Sequence, residues 1–393
     1  VKVEFGPPQF HPNWEAYNAS LKELSEPEKP FSPALLRRAA RDYLDPLLPA
    51  MKEHGERERV GPLTMEQAIM GIPGLRGYEP LIMSTSAGLP VNGTKDKMFV
   101  ELRDDKGALV SRIPKPELLD EISRLTRCYA SNVRGYPVFS ACLKDEPTKV
   151  GSTKVRVFQC GPVAFSILVR QYFMPIVRFL TLNPLTSECA VGSNCFGPEW
   201  EQLMNHAESK GVSRQLAWDY SKYDLKMSSQ ITREVFWILV ELAKVAGNYS
   251  EADIAFMESM VVDLCHPIVD WNGSLLGLVN FNPSGHNLTV QVNSVAGSLY
   301  VRMAFLDKFP EVSSFREHVA ALTYGDDFKG SVDEAHAAFD FHYYKEWAAR
   351  HGKKITPPDK LGEECAFYEN PDFLKRRSSF IPEINCSIGA LAR

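Results

Sequence analysis

Val319-Ala320-Ala321-Leu322-Thr323-Tyr324-Gly325-Asp326-Asp327-Phe328-Lys329-Gly330-Ser331-Val332 sets two adjacent carboxylates between two short runs of strand-forming residues. The pattern predicts a β-hairpin over 320–332 with its acids at the tip, Gly325 supplying the freedom the turn needs. Neighbouring carboxylates repel each other unless a cation is shared between them. Mg²⁺ and Mn²⁺ are the usual answer, because both favour hard oxygen ligands. The plain alternative is a solvated Asp-Asp turn, so the reading depends on whether other segments supply further ligands and a substrate.

Working outward from this hairpin, the chain from Arg214 onward alternates strand and helix. A short strand over 215–218 ends at Asp219, a helix over 228–247 is capped by Ser228 or Ser229, and a strand is expected over 276–281. A long helix over 287–306 precedes the hairpin, and a helix over 333–352 ended by Gly352 follows it. This β-α-β-β pattern predicts an antiparallel sheet backed by helices. Upstream, Ser32 and Pro33 read as the cap and first residue of a helix over 32–51. The stretch 138–158 suggests strands flanking a basic loop, and 163–180 a long helix kinked at Pro175. No internal repeat is visible, which excludes solenoids and propellers.

Two further motifs carry polar groups. Asp219-Tyr220-Ser221-Lys222-Tyr223-Asp224 closes the strand at 215–218, so Asp219 is placed as a strand-end ligand while Asp224 faces a neighbouring pocket. A strand-end Asp beside a hairpin-tip pair is the arrangement a two-metal phosphoryl-transfer site requires. Phe281-Asn282-Pro283-Ser284-Gly285-His286-Asn287-Leu288-Thr289 is a Pro-Ser-Gly turn opening a helix, whose exposed N–H groups favour anions or sugar hydroxyls. Thr289 and Asn293 lie one turn apart and share a face. Each motif alone is equally an ordinary turn or helix cap.

Composition sets the outer limits. The 393 residues are 44% apolar and 24% charged, ordinary values that allow a substantial core and argue against wholesale disorder. The longest apolar candidates for a membrane span, 163–180 and 235–240, are interrupted by Arg170, Arg178 and Glu241, and the start, with Lys2 and Glu4, does not read as a cleavable signal. Eight scattered cysteines without a CxxC pair read as reduced structural thiols, and Cys265-His266 as core filling. The net charge of −5 argues against a general nucleic-acid binder. Yet Lys144, Lys149, Lys154, Arg156, Arg170 and Arg178 recur in one region and Lys375-Arg376-Arg377 in another, compatible with a basic channel in an acidic body.

Taken in order, DYSKYD, PSGHNLTVQVN, YGDD and FLKRR at 373–377 resemble the RNA-dependent RNA polymerases of positive-strand RNA viruses, nearest to the picornavirus-like group. Lys144-Asp145-Glu146, Lys154-Val155-Arg156 and Thr85-Ser86-Ala87-Gly88-Leu89-Pro90 match that group's upstream motifs in the same order, and the resemblance spans about 77–377. It implies an α+β, right-hand polymerase fold with fingers, a palm whose antiparallel sheet is backed by helices, and a thumb largely absent from this chain. The implied divisions are 1–185 fingers with an N-terminal segment, 186–244 palm, 245–282 fingers insertion, 283–372 palm, and 373–393 palm–thumb junction and start of the thumb. That group's thumb continues beyond its FLKR element, so here it is either outside the sequence or much reduced. Picornavirus enzymes begin with a buried Gly; Val1 stands first here, and that device does not carry over.

The resemblance also assigns roles. It implies Asp219, Asp326 and Asp327 as catalytic ligands of two Mg²⁺ ions, with Mn²⁺ as a substitute, and Lys360 as a general acid toward the leaving pyrophosphate. Lys144, Lys154, Arg156, Asp224, Ser284, Thr289 and Asn293 would bind the nucleoside triphosphate, with Asp224, Ser284 and Asn293 around its ribose. Thr85, Ser86, Gly285, Lys375 and Arg376 would touch RNA; His286 is given no role. Implied partners are an RNA template and primer, NTPs, a small viral protein primer and other viral replication proteins. The implied place of action is the host cytoplasm, in membrane-associated replication complexes. A reverse transcriptase is the nearest rival, and Asp224 argues against it, because those enzymes place a bulky aromatic near that position. A non-catalytic RNA-binding scaffold is the rival from another class.

Overall fold

In the computed structural model the structure describes residues 4–8, 14–26, 29–150, 155–358 and 362–392. A four-stranded antiparallel sheet lies at its centre. Its strands are β1 (Gln215–Tyr220), β2 (Val319–Tyr324), β3 (Asp327–Val332) and β4 (Ile355–Thr356), in the spatial order β2-β3-β1-β4. The β2–β3 hairpin is in register from Val319↔Val332 to Tyr324↔Asp327, so the turn at Gly325 and Asp326 stands at its tip. Gly325 has φ +62°, in the left-handed region that glycine enters without penalty.

Both faces of this sheet are covered, which explains why β2 reads as an unbroken apolar run. Val319 and Ala321 belong to the main core with the long helix Thr289–Lys308. Leu322 instead packs with Trp200, Leu203 and Met204 of helix Pro198–Glu208 on the opposite side, the two-residue alternation of a strand. On β1, Trp218 is stacked between Phe328 at 4.2 Å and Tyr344 at 4.0 Å, where Tyr344 lies on helix Phe341–Arg350. The helix Ser229–Ala246 is capped by Ser228, whose hydroxyl accepts from Gln230 N–H, and ends at Gly247.

A second four-stranded sheet runs Val157–Cys160, Val138–Leu143, Ile268–Trp271, Ser274–Gly277 in spatial order. Val138–Leu143 pairs in parallel with Ile268–Trp271, so segments far apart in sequence share one sheet. Beneath it lies the helix Val163–Leu182, 20 residues long and apolar enough to span a bilayer by length and composition, with 83% of its apolar window buried inside the protein. It runs through Pro175 as one helix. Arg170 and Arg178 on it are buried: Arg170 Nε donates to the Ala68 carbonyl at 2.6 Å and Arg178 Nε to the Arg76 carbonyl at 2.7 Å. These two arginines, expected among the channel cations, therefore hold backbone in place.

Other local expectations are corrected. The helix expected over 32–51 is two helices, Pro33–Leu44 and Leu47–Glu58, divided at Asp45-Pro46, since proline has no N–H to continue the ladder. The strand expected over 276–281 is instead Ser274–Gly277, formed by a tight turn at Asn272-Gly273 in which both residues have positive φ. The helix expected over 333–352 splits into a single 3₁₀ turn, Glu334–His336, and the helix Phe341–Arg350, each capped by an Asp side chain, Asp333 and Asp340. All eight cysteines are free.

The last described residues form a hairpin, Arg376–Ile381 with Cys386–Leu391, seated on helix Pro198–Glu208. Trp200 Nε1 donates to Ser378 Oγ at 3.1 Å, and Glu201 Oε1 accepts from Ser387 N–H at 3.0 Å. Phe373 and Arg376 exchange two backbone hydrogen bonds of 3.0 Å, closing a tight turn over Leu374 and Lys375.

Candidate active site

The register brings the carboxylates together. Phe328 on β3 pairs with Trp218 on β1, so one step further toward the tip Asp327 and Asp219 stand across from each other, with Asp326 at the turn beside them. The turn is fixed from below: Gly325 N–H donates to Ser294 Oγ at 2.8 Å, and the Ser294 hydroxyl donates to the Val290 carbonyl at 2.7 Å. Asp326 is exposed, and Asp219 and Asp327 are half-buried. Three hard oxygen donors on two adjacent strands fit a divalent cation of the Mg²⁺ type.

An open cleft of about 550 Å³ adjoins the tip, lined by Ser284, Thr289, Asn293, Tyr324, Asp326 and Asp327 among others. Asn293 and His286 in its wall belong to a directed chain of hydrogen bonds running behind it. Asn293 Nδ2 donates to Asp224 Oδ1 at 2.6 Å, and Asn282 Nδ2 donates to Asn293 Oδ1 at 2.7 Å. His286 Nε2 meets Asn282 Oδ1 at 2.8 Å, and Leu288 N–H reaches His286 Nδ1 at 3.2 Å. Because Nδ1 must accept from a backbone amide, the neutral Nε2–H tautomer is assigned and every bond points toward Asp224. Burial pushes the His286 pKa down to about 3, which keeps the ring neutral. Burial likewise raises the Asp224 pKa, opposed by the Asn293 bond and reinforced by the nearby Asp326 charge. His286 and Asn282 were not among the residues expected to act; both sit in the Pro-Ser-Gly motif, but only the folded turn shows that they join Asp224.

The remaining expected residues separate into groups. Lys144 and Arg156 both engage Glu146: Arg156 Nε and Nη2 donate at 2.5 and 2.6 Å, and Lys144 Nζ stands 3.3 Å away. The Arg156 hydrogen bonds hold the Glu146 pKa down at about 2. Asp224 and Asp326 also act electrostatically on Arg156, so this cation faces the carboxylate cluster. Ser284 Oγ donates to Gln159 Oε1 at 3.2 Å, and Thr289 Oγ1 bonds the Pro283 and His286 carbonyls at 2.8 Å, so both are held by local partners at the rim. Gly285 lies against the strand Val157–Cys160, where an added Cβ would fall 1.8 Å from the Gln159 carbonyl oxygen. Thr85 and Ser86 lie in a separate loop, both bonded by Lys95 Nζ, at 2.5 Å to Thr85 Oγ1 and 2.8 Å to the Ser86 carbonyl. Lys375 is exposed beside Leu374, which lines the cleft, whereas Arg376 donates to the Gly389 carbonyl at 2.6 Å. Lys154 and Lys360 lie outside the described residues.

The chain resembles known proteins over most of its length. The model of the family described as viral RNA-dependent RNA polymerase matches residues 17–383. The chain is 29% identical over 408 residues to the RNA1 polyprotein of red clover mottle virus, covering 97% of this chain and 21% of the polyprotein. It is 28% identical over 292 residues to the replicase polyprotein of Drosophila C virus (strain EB), covering 70% of this chain and 16% of that polyprotein. The chain thus spans about a fifth, or less, of these relatives. The solved Sicinivirus 3Dpol RNA-dependent RNA polymerase superposes with a TM-score of 0.70 at 19% identity, over 100% of this chain and 79% of that one. The likeness in structure covers the whole chain, and the fold is the α+β right-hand polymerase fold, with the β1–β4 sheet as its palm. With the family model matched along nearly its full length, this chain belongs to the viral RNA-dependent RNA polymerases of the picornavirus-like group.

Proposed function

We propose that this chain extends an RNA 3′ end by template-directed transfer of nucleotides from NTPs, releasing pyrophosphate, as part of viral genome replication. The observation that carries the reading is the convergence of Asp219, Asp326 and Asp327 at one edge of a cleft whose wall includes Asn293, itself bonded to Asp224. Asp219, Asp326 and Asp327 would hold Mg²⁺ or Mn²⁺. Bound there, two such ions would stabilise the charge that develops on the attacking and leaving oxygens. The chain's own residues do the positioning, which is most of what phosphoryl transfer asks of a protein.

The direction of the hydrogen-bond chain determines what Asn293 and Asp224 can offer. Asn293 has a second amide hydrogen and Asp224 a second oxygen, so the pair presents one donor and one acceptor side by side. A ribose 2′-hydroxyl both accepts and donates, and matches them. A 2′-hydrogen does neither and leaves two polar groups unmatched, which in favourable cases disfavours it by roughly 10⁴-fold. Arg156 and Lys144, both paired with Glu146, would receive the triphosphate. Partners on this reading are an RNA template and primer, with a small viral protein primer and other replication proteins by family likeness. The host cytoplasm, in membrane-associated complexes, is its proposed place of action.

Primer extension on a defined RNA template tests the proposal. Incorporation is expected with NTPs in Mg²⁺ or Mn²⁺. Asp326→Asn is expected to abolish it while template affinity stays within about two-fold, since carboxylate ligation and phosphate contacts are separable terms. Extension by Asp326→Asn near the unmutated rate would remove the metal assignment.

A further inference from the structure

The β2–β3 hairpin carries a second cluster of ligand-type side chains at the end opposite its catalytic tip. Val319 pairs with Val332, so the next residues outward, His318 and Asp333, are cross-strand neighbours, and Asp333 N–H donates to the His318 carbonyl at 2.9 Å. Asp333 also caps the 3₁₀ turn Glu334–His336, accepting from His336 N–H at 3.0 Å, and this turn folds the His336 ring back over the pair. The result is that His318 Nδ1 lies 2.7 Å from Asp333 Oδ2, and His336 Nδ1 lies 2.7 Å from Asp333 Oδ1.

Two imidazoles therefore aim the same nitrogen at one carboxylate, their ring centroids only 4.1 Å apart, and the three ligand atoms fall within 4.8 Å of one another. Phe305 lies parallel to His318 at 6.2 Å, and Phe309 meets His336 edge-on at 4.8 Å, walling the rings on their inner side. All three side chains remain partly accessible, at 25%, 29% and 14% for His318, Asp333 and His336, so an ion can enter from solvent.

We propose that His318, Asp333 and His336 form a binding site for a divalent transition metal of the zinc class, separate from the catalytic carboxylates. Two imidazole nitrogens and one carboxylate select Zn²⁺, Co²⁺ or Ni²⁺ over Mg²⁺, which takes oxygen donors. A tetrahedral zinc with ligands near 2.0–2.1 Å needs donor atoms about 3.3 Å apart. Each imidazole faces its own oxygen of Asp333, so reaching that spacing takes a rearrangement of side chains within a group whose ligand atoms already lie inside 4.8 Å. Each neutral imidazole then carries its proton on Nε2, and a water completes the coordination. Such an ion joins the end of β2 to the turn after β3, clasping the base of the hairpin whose other end holds Asp326 and Asp327. Its absence leaves the same three residues as a His–carboxylate–His hydrogen-bonded group.

The test uses the full chain, stripped with chelator and re-equilibrated with micromolar Zn²⁺ in the presence of millimolar Mg²⁺ to occupy the catalytic carboxylates. Elemental analysis is expected to find about one zinc per chain. Asp326→Asn is expected to keep it, and His336→Gln to weaken it at least about 10-fold, the low end of what even an indirect partner contributes. Co²⁺ in place of zinc is expected to give the intense visible absorption of tetrahedral, nitrogen-ligated cobalt in the unmutated chain, a readout independent of whether any variant folds. No zinc retained by the unmutated chain, undiminished zinc in His336→Gln, or zinc lost with Asp326→Asn overturns the proposal, as does an octahedral cobalt spectrum.

Discussion

Asp224 owes its orientation to three residues behind it, and that dependence can be measured. Asp224→Ala is expected to narrow the preference for NTP over dNTP in extension assays, and an unchanged ratio would remove Asp224 from the ribose pocket. Asn282→Ala leaves Asn293 without its donor and His286 without its acceptor, in a buried setting. It is expected to lower the same ratio and to reduce stability by about 1–3 kcal/mol in denaturant unfolding. His286 adds a pH signature. Its folded pKa of about 3 lies below the ordinary 6.5, so below that ordinary value the unfolded chain binds the proton and the folded chain does not. Stability therefore rises with pH between these values, by up to about 1.4 kcal/mol per unit from this ring. Denaturant midpoints between pH 4.5 and 7 are expected to show a shallower slope for His286→Gln than for the unmutated chain.

At the scale of elements, the turn Phe373–Arg376 carries avoidable strain. Leu374 and Lys375 both have φ near +57°, a pair of left-handed residues that Asn-Gly would occupy far more readily. Replacing Leu374-Lys375 by Asn-Gly is expected to raise the unfolding midpoint, by an amount equivalent to about 1 kcal/mol. Because Leu374 lines the cleft and Lys375 is exposed beside it, the same variant is expected to extend primers less well; full activity would make this turn purely structural. The palm hairpin, the strand read at 215–218 (215–220 in the structure) and the helices read at 228–247 and 287–306 (229–246 and 289–308) were legible in the sequence, since alternation, caps and a Gly-Asp-Asp turn are local signals. The break at Asp45-Pro46 was legible too, had proline been given priority over apolar periodicity. The strand Ser274–Gly277 was not, because its register comes from pairing with Ile268–Trp271. Motif order singled out Asp219, Asp224 and Asp326, which the fold brings close to one another, whereas the link of His286 and Asn282 to Asp224 was hidden because it depends on who faces whom. The same holds for Arg170 and Arg178: a row of cations in sequence does not reveal that two of them point inward to carbonyls.

Across the whole molecule, one buried charge network ties distant segments together. Arg302, fully buried, donates to Asp42 at 2.8 Å and bidentately to Glu188 at 2.6 Å, and Arg316 stands 3.1 Å from Glu188. Burial opposes ionisation of Glu188, yet Arg302 and Arg316 hold its pKa down at about 2. The Glu188 backbone in turn accepts from Thr323 N–H at 2.7 Å, fixing β2 one residue before Tyr324. Arg302→Leu leaves Glu188 and Asp42 without this partner and is expected to lower stability by about 3–5 kcal/mol in denaturant unfolding. Toward the N-terminus, Glu23 bonds both Lys222 and Lys226 around the Asp219–Asp224 loop. These contacts join residues 199 and 260 positions apart. Viewed in time, a ribosome releases Glu23 and Asp42 long before it makes the residues that complete them. These two contacts can therefore close only after Lys222 and Arg302 have been made, a late and long-range step in completing the fold.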